Sequence, residues 1–261
     1  GYSVNLRCLD QGTIEHALRV VRELEHAVQG IQELHGAQRG RLVVGTLATV
    51  NSYLIPPLVS RFKQRFPGIH LQVYAQPSTD IVDGLLSNRL DVGIGLLPIE
   101  HPRLTVVPLF EERLILVAPA NAAGTKSRMR MRDLSGLPLV LMPVDYCLRK
   151  MVEAECAEAH VHTHVVLEMT SPEGILQAVA GGAGWTILPE LYVHRHPLGL
   201  TFKTIELYDP VPHHAVGLVY RSDRHHNLAA KEFGTLCRDT MTSLLAASPV
   251  GARKPRHRAN G

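Results

Sequence analysis

No run of apolar residues in this 261-residue chain approaches the roughly 20 needed to cross a bilayer as a helix. The first residues, Gly1 to Leu9, lack the basic start and apolar stretch of a secretory signal, so a cytoplasmic protein with no membrane partner is expected. Cysteine is scarce. The four present, Cys8, Cys147, Cys156 and Cys237, form no C-x-x-C pair and no zinc spacing, which fits a reducing compartment. Net charge is also small, at +3, and much of the positive excess comes from Arg253, Lys254, Arg256 and Arg258 in the tail. The globular part is therefore not basic enough to argue for DNA contact, and a solvated, disordered tail over 246–261 is expected. A Gly-rich phosphate loop, a G-x-S-x-G elbow and an H-E-x-x-H pair are all missing, so nothing points to an enzyme or to a cofactor. His160, His162 and His164 alternate, but no carboxylate or cysteine joins them in sequence, and no metal site is expected. His213-His214 and His225-His226 read as exposed loop residues.

What the sequence does contain is ordinary globular material, 45% hydrophobic and 20% charged. Between about Thr13 and Leu34, Ile14, Val21 and Val28 recur every seven residues, as do Ala17, Leu24 and Ile31. These are a and d positions with charged residues between them. The spacing predicts a helix over 13–36, about 33 Å long from Thr13 to Leu34 at ~1.5 Å per residue. One apolar seam of that length predicts a dimer interface.

From Arg41 the pattern changes to short apolar runs alternating with helical stretches. Strands are expected at Arg41–Leu47, Ile69–Ala75 and Asp91–Leu96, with helices at Ser52–Phe66 and Ser78–Asn88 between them. Leu104–Ala118 reads as two further strand-like segments. The theme then repeats with strands Pro138–Met142, His164–Glu168 and Trp185–Leu188, and helices Asp145–Ala159 and Ser171–Gly181. A last strand, Ala215–Tyr220, precedes a helix from about Asn227 to Leu245. The fold class is α/β, as two Rossmann-like lobes with a ligand cleft outside the carboxyl ends of the strands. The expected division is 41–118 with 215–245 as the first lobe and 119–214 as the second. Pro119–Gly124 and Asp209–His214 would be the crossings.

The stretch GRLVVGTLATVNSYLIPPLVSRFKQRFPGI resembles the opening of the effector-binding domain of LysR-type transcription regulators. LLSNRLDVGIG, LILVAPA, DLSGLPLVLM, AVAGGAGWTILPE and VGLVYR follow in the family's order and spacing, over about residues 13–245. The resemblance implies a periplasmic-binding-protein-like effector domain behind a dimerisation helix, forming a homodimer, or a tetramer at full length. Family members begin with a winged helix-turn-helix that binds DNA. Here GYSVNLRCLDQG, residues 1–12, is a poor match to the end of that head, so the segment reads as a remnant or a disordered N-terminus, and DNA contact is expected only through a head not seen in this chain.

The effector site is expected where helices start with polar residues: Thr49, Val50, Asn51 and Ser52; Ser78 and Thr79; Tyr146 and Cys147; Thr170 and Ser171; and Gly184. Helix N-termini carry unpaired N–H groups and a partial positive charge, which suits a small anion or carboxylate. The same residue types are also ordinary helix caps. YCLRKMVEAEC further resembles the peroxide-sensing branch of the family, in which a Cys-Leu-Arg pairs with a second cysteine nine residues on. That implies a redox role for Cys147 and Cys156. Tyr146 stands where those sensors have histidine, and LDVGIGLLPIEHPRLTVVPLF is more like the metabolite-sensing branch, including cyanate-type regulators. A metabolite sensor is the leading expectation. A thiol-based peroxide sensor and a two-lobed solute-binding receptor are the alternatives.

Overall fold

The computed structural model describes residues 40–247, other than 125, 197–198 and 224–227, together with residues 12, 17, 20 and 21. The remnant at 1–12, the tail and most of the expected heptad helix, including Ile14, Leu24, Val28 and Ile31, lie outside the described residues. Ala17, Val20 and Val21 are helical and exposed, Val20 by 60% and Val21 by 51%.

Strand β1 (Gly40–Thr46) is apolar on both faces and lies inside the sheet between β2 (Ile69–Ala75) and β3 (Val92–Leu97), parallel to both. The edge strand β2 is mostly half-buried or exposed. Between β1 and β2 the single helix expected from Ser52 to Phe66 is two, α1 (Ala48–Tyr53) and α2 (Ile55–Arg65). Pro56 and Pro57 occupy the first turn of α2. They have no N–H to continue the ladder from α1, so the chain restarts its helix there. Helix α3 (Ser78–Leu86) joins β2 to β3.

Strand β4 (Leu104–Pro119) is one element of 16 residues, not two segments. Its residues 104–113 pair antiparallel with β10 (His213–Arg221), except for a bulge at Leu109, beside Pro108, which has no N–H to give the ladder. From Leu114 onward the partners change to β8 (Thr186–Pro189) and β9 (Phe202–Tyr208). The exchange of partners thus falls between Arg113 and Leu114, ahead of the expected crossing at Pro119. On the return path, Leu114 donates its amide to Pro212, between β9 and β10.

The second half of the sheet adds β5 (Arg128–Arg130) beside β9. A parallel pair, β6 (Pro138–Leu141) and β7 (His164–Glu168), joins it through Trp185, whose amide and carbonyl bond Pro138 and Val140. Helix α4 (Cys147–Glu158) connects β6 to β7, and α5 (Pro172–Ala180) leads to β8. After β8, α6 (Glu190–Arg195) carries the chain to β9; neither was foreseen.

Helix α7 (Leu228–Ala246) returns to the first lobe and packs on α2. Phe233 meets Phe62 edge-on at 5.8 Å, and Arg61 donates to Thr240 at 3.1 Å. At Gly234 the Tyr220 hydroxyl approaches so closely that a Cβ would overlap it. One core runs through both halves, from Leu42, Leu58 and Phe62 to Val140, Ile175 and Leu188. A second core, with Leu116, Leu139, Val152, Cys156 and Ile205, lies within the second half.

Candidate functional site

Four helix starts meet at one cavity of about 550 Å³. They come from both halves of the sheet: Ala48 and Thr49 at α1, Pro77 and Ser78 at α3, Tyr146 and Cys147 at α4, and Thr170, Ser171 and Pro172 at α5. Each helix follows the carboxyl end of a strand, β1, β2, β6 and β7 respectively. The alternation of strand and helix therefore delivers all four to the same edge of the fold.

Six of the eleven residues expected at an effector site line this cavity: Thr49, Ser78, Tyr146, Cys147, Thr170 and Ser171. Two of their hydroxyls are already engaged. Ser78 Oγ accepts the Leu96 amide at 3.3 Å, so this side chain ties α3 to β3. Ser171 Oγ accepts the Gly174 amide at 3.2 Å and caps α5. The other five do not line the cavity. Val50 belongs to the core, and Asn51 and Thr79 sit further along α1 and α3. Ser52 is exposed and bonds back to the Ala48 carbonyl. Gly184 sits against β6, where a Cβ would stand 2.5 Å from the Pro138 carbonyl oxygen, so its part is to let Trp185 join the sheet.

The cavity also has a residue that sequence reasoning placed in a loop. His214 is the second residue of β10, 3% exposed, and it lines the cavity. Its Nε2 lies 2.8 Å from Glu112 Oε1. The Glu112 side chain is fully enclosed. It accepts the Tyr53 hydroxyl at 3.3 Å and, through Oε2, the Leu191 amide at 3.1 Å. Burial, then the neighbouring Glu112 charge, pushes the Tyr53 phenol well above its usual range, which keeps it a donor. Next along β4, Arg113 pairs with Glu190 at 3.1 Å and Glu206 at 2.8 Å. His213 is exposed as expected, but it is the first residue of β10 and not in a loop; His225 and His226 lie outside the described residues.

Cys147 is half-buried at the start of α4. Cys156 is on the same unbroken helix, buried in the second core, and its thiol is pushed up to about 11, first by burial and then by Glu153 and Glu155. Among the described residues, Cys147, Cys156 and Cys237 are free thiols. Arg149, only 6% exposed, anchors this helix through Glu153, Glu168 and the Met142 carbonyl. His160 turns the chain in a left-handed conformation (φ 57°), and His164 is exposed on β7. Among the described residues no cluster of three or more His, Cys, Asp or Glu is placed to hold a metal ion.

Residues 35–242 match the family described as the LysR substrate binding domain. The chain is 28% identical over 209 residues to the hydrogen peroxide-inducible genes activator of Haemophilus influenzae, covering 80% of this chain and 69% of that protein. It is 28% identical to the DNA-binding transcriptional dual regulator OxyR of Escherichia coli, over 80% of this chain and 68% of that protein. Among solved structures, the reduced OxyR regulatory domain from Pseudomonas aeruginosa superposes with a TM-score of 0.66 at 26% identity, over 76% of this chain and 97% of that one. The CcmR regulatory domain from Synechocystis, in complex with 2-PG, does so with a TM-score of 0.71 at 22% identity, over 78% and 98%. The last likeness carries the fold alone.

Proposed function

The chain belongs to the LysR substrate-binding-domain family, and on that premise we propose that it senses a small ligand held in the cavity between its two lobes. As a family member it is the regulatory, periplasmic-binding-protein-like part of a transcription regulator. One observation carries the ligand reading: Thr49 and Ser78 from one lobe and Tyr146, Cys147, Thr170 and Ser171 from the other line a single cavity of about 550 Å³. A ligand touching both walls binds one relative placement of the lobes better than another, and so shifts their equilibrium. The lobes meet where β4 changes partners at Arg113–Leu114 and where the chain returns at 209–212. Signalling runs through a homodimer, assembled on the heptad helix, to a DNA-binding winged helix-turn-helix. The site needs no cofactor, the role is not enzymatic, and its place is the cytoplasm.

The test is a thermal-shift screen of the purified chain against small metabolites. A ligand at a hundred times its dissociation constant adds ~2.7 kcal/mol, worth several degrees at this size. Thr49→Val should abolish the shift while leaving the melting temperature of the free chain nearly unchanged.

A second reading is favoured by Cys147, which lines the same cavity with Cys156 nine residues on, and by the relatives named for hydrogen peroxide. It is thiol-based sensing by the same lobe. Mass spectrometry after mild peroxide separates the two readings. A Cys147–Cys156 bridge, lost in Cys147→Ser, together with no binder in the screen, would transfer the sensing role to the thiols.

A further inference from the structure

Behind the cleft wall lies a second, much smaller cavity, of about 10 Å³. Met142 and Leu148 line both spaces and so form the partition between them. The small cavity lies beneath α4 and is closed by Val152, Ile175 and Ile187, which belong to the two cores. Its size excludes an organic ligand and matches one water molecule, which needs roughly 10–15 Å³.

Apolar cavities stay dry, and a water enters where polar groups face it. Two such groups line this one. Thr186, the first residue of β8, is fully buried, and its Oγ1 has no hydrogen-bond partner among the described residues. Buried polar atoms are bonded as a rule, so this hydroxyl requires a partner. The other group is the guanidinium of Arg149, whose side chain is 5% exposed. It carries five N–H groups. Nε and Nη2 each reach Glu153, and Nη1 reaches Glu168 and the Met142 carbonyl, at 2.7 to 2.9 Å. Those contacts take four N–H groups and leave one on Nη2.

We propose that this cavity is the site of one ordered water, which accepts from Arg149 Nη2, donates to Thr186 Oγ1 and so ties the first turn of α4 to β8. Tyr146 and Cys147 open that helix at the cleft. The water therefore positions one wall of the cleft, whether a ligand or the thiols do the sensing.

A crystal structure of the full chain should show one water within hydrogen-bond distance of both Thr186 Oγ1 and Arg149 Nη2. A cavity without density, or a water bonded to only one of the two, overturns the proposal. Thr186→Val keeps the shape of the side chain and supplies a test whose sign decides. Removing a hydroxyl that has no partner leaves stability unchanged or raises it. Removing one that a water joins to Arg149 should lower the melting temperature. It should also speed amide exchange in the first turns of α4 by about threefold or more relative to α7. An unchanged or raised melting temperature overturns the proposal, as does exchange that rises equally in both helices.

Discussion

Replacing Glu112 by alanine removes the acceptor shared by the Tyr53 hydroxyl, His214 Nε2 and the Leu191 amide. All of these donors lie inside the protein, and the carboxylate has no solvent exposure. Each buried donor left unpaired costs about 1–3 kcal/mol. The donors share one acceptor, so these losses overlap and do not add. Water entering the space left by the side chain recovers part of them. The expected destabilisation is therefore about 2–5 kcal/mol. At ~2–4 °C per kcal/mol for a chain of this size, melting should fall by roughly 4–20 °C. Urea unfolding followed by circular dichroism measures the free energy directly, with Glu111→Ala as the control from the adjacent, half-buried position on β4. Glu112→Gln should fall between the two, because an amide keeps one acceptor but turns a second N–H toward existing donors. A Glu112→Ala loss below about 1 kcal/mol, no larger than that of Glu111→Ala, would refute the view that this carboxylate ties α1, β10 and α6 together.

Gly234→Ala should destabilise by about 1–3 kcal/mol, because its methyl group meets the Tyr220 hydroxyl where α7 crosses the sheet. Tyr220→Phe in the same chain should recover part of the loss, and additive effects in denaturant titrations would contradict this contact. Cys237 sets an alkaline limit: burial pushes its thiol from 9.0 up to about 12, so the unfolded chain loses this proton first as pH rises. Its stability contribution is intact below pH 9 and is lost between pH 9 and 12, at up to ~1.4 kcal/mol per pH unit. Cys237→Ala should flatten that part of the stability–pH curve, and an unchanged slope would count against the buried thiol.

Much of the scaffold was legible because β1 and β3 are short, continuous apolar runs and the helices between them have one apolar face. The return of the same alternation from Pro138 onward then supplied the second lobe. The cavity's helix starts were legible for the same reason, since the carboxyl end of a strand followed by a polar residue is a local pattern. The errors have local causes too. Pro56-Pro57 lay inside an amphipathic stretch whose periodicity hid the break between α1 and α2. In β9, FKTIELY buries only Ile205 and Leu207 among polar neighbours, so it carries little apolar signal. Glu111, Glu112 and Arg113 interrupt the apolar residues of Leu104–Ala118. They are inside one strand, and Glu112 is buried because its partner His214 comes from 102 positions away. No window along the sequence contains that pair.

The two sensing readings differ in what they require of α4. Cys147 and Cys156 are nine residues apart on one unbroken helix. At ~100° per residue that spacing places them on opposite faces, and at ~1.5 Å rise about 13 Å apart, beyond the ~7 Å that a disulfide spans. A bridge between them therefore requires α4 to unwind. Unwinding withdraws Val152 and Cys156 from the second core and releases Arg149 from Glu153, Glu168 and the Met142 carbonyl. Ligand binding requires none of this, because Cys147 and Tyr146 already line the cavity beside Thr49 and Ser78. The cost of melting α4 is thus the quantity that separates the readings. Arg149→Met removes the charged anchor without emptying the helix of apolar contacts. If the thiols sense, that substitution should hasten the Cys147–Cys156 bridge under mild peroxide, because the helix opens more often. If a ligand senses, it should leave the free thiols unbridged and disturb only the α4 wall of the cavity.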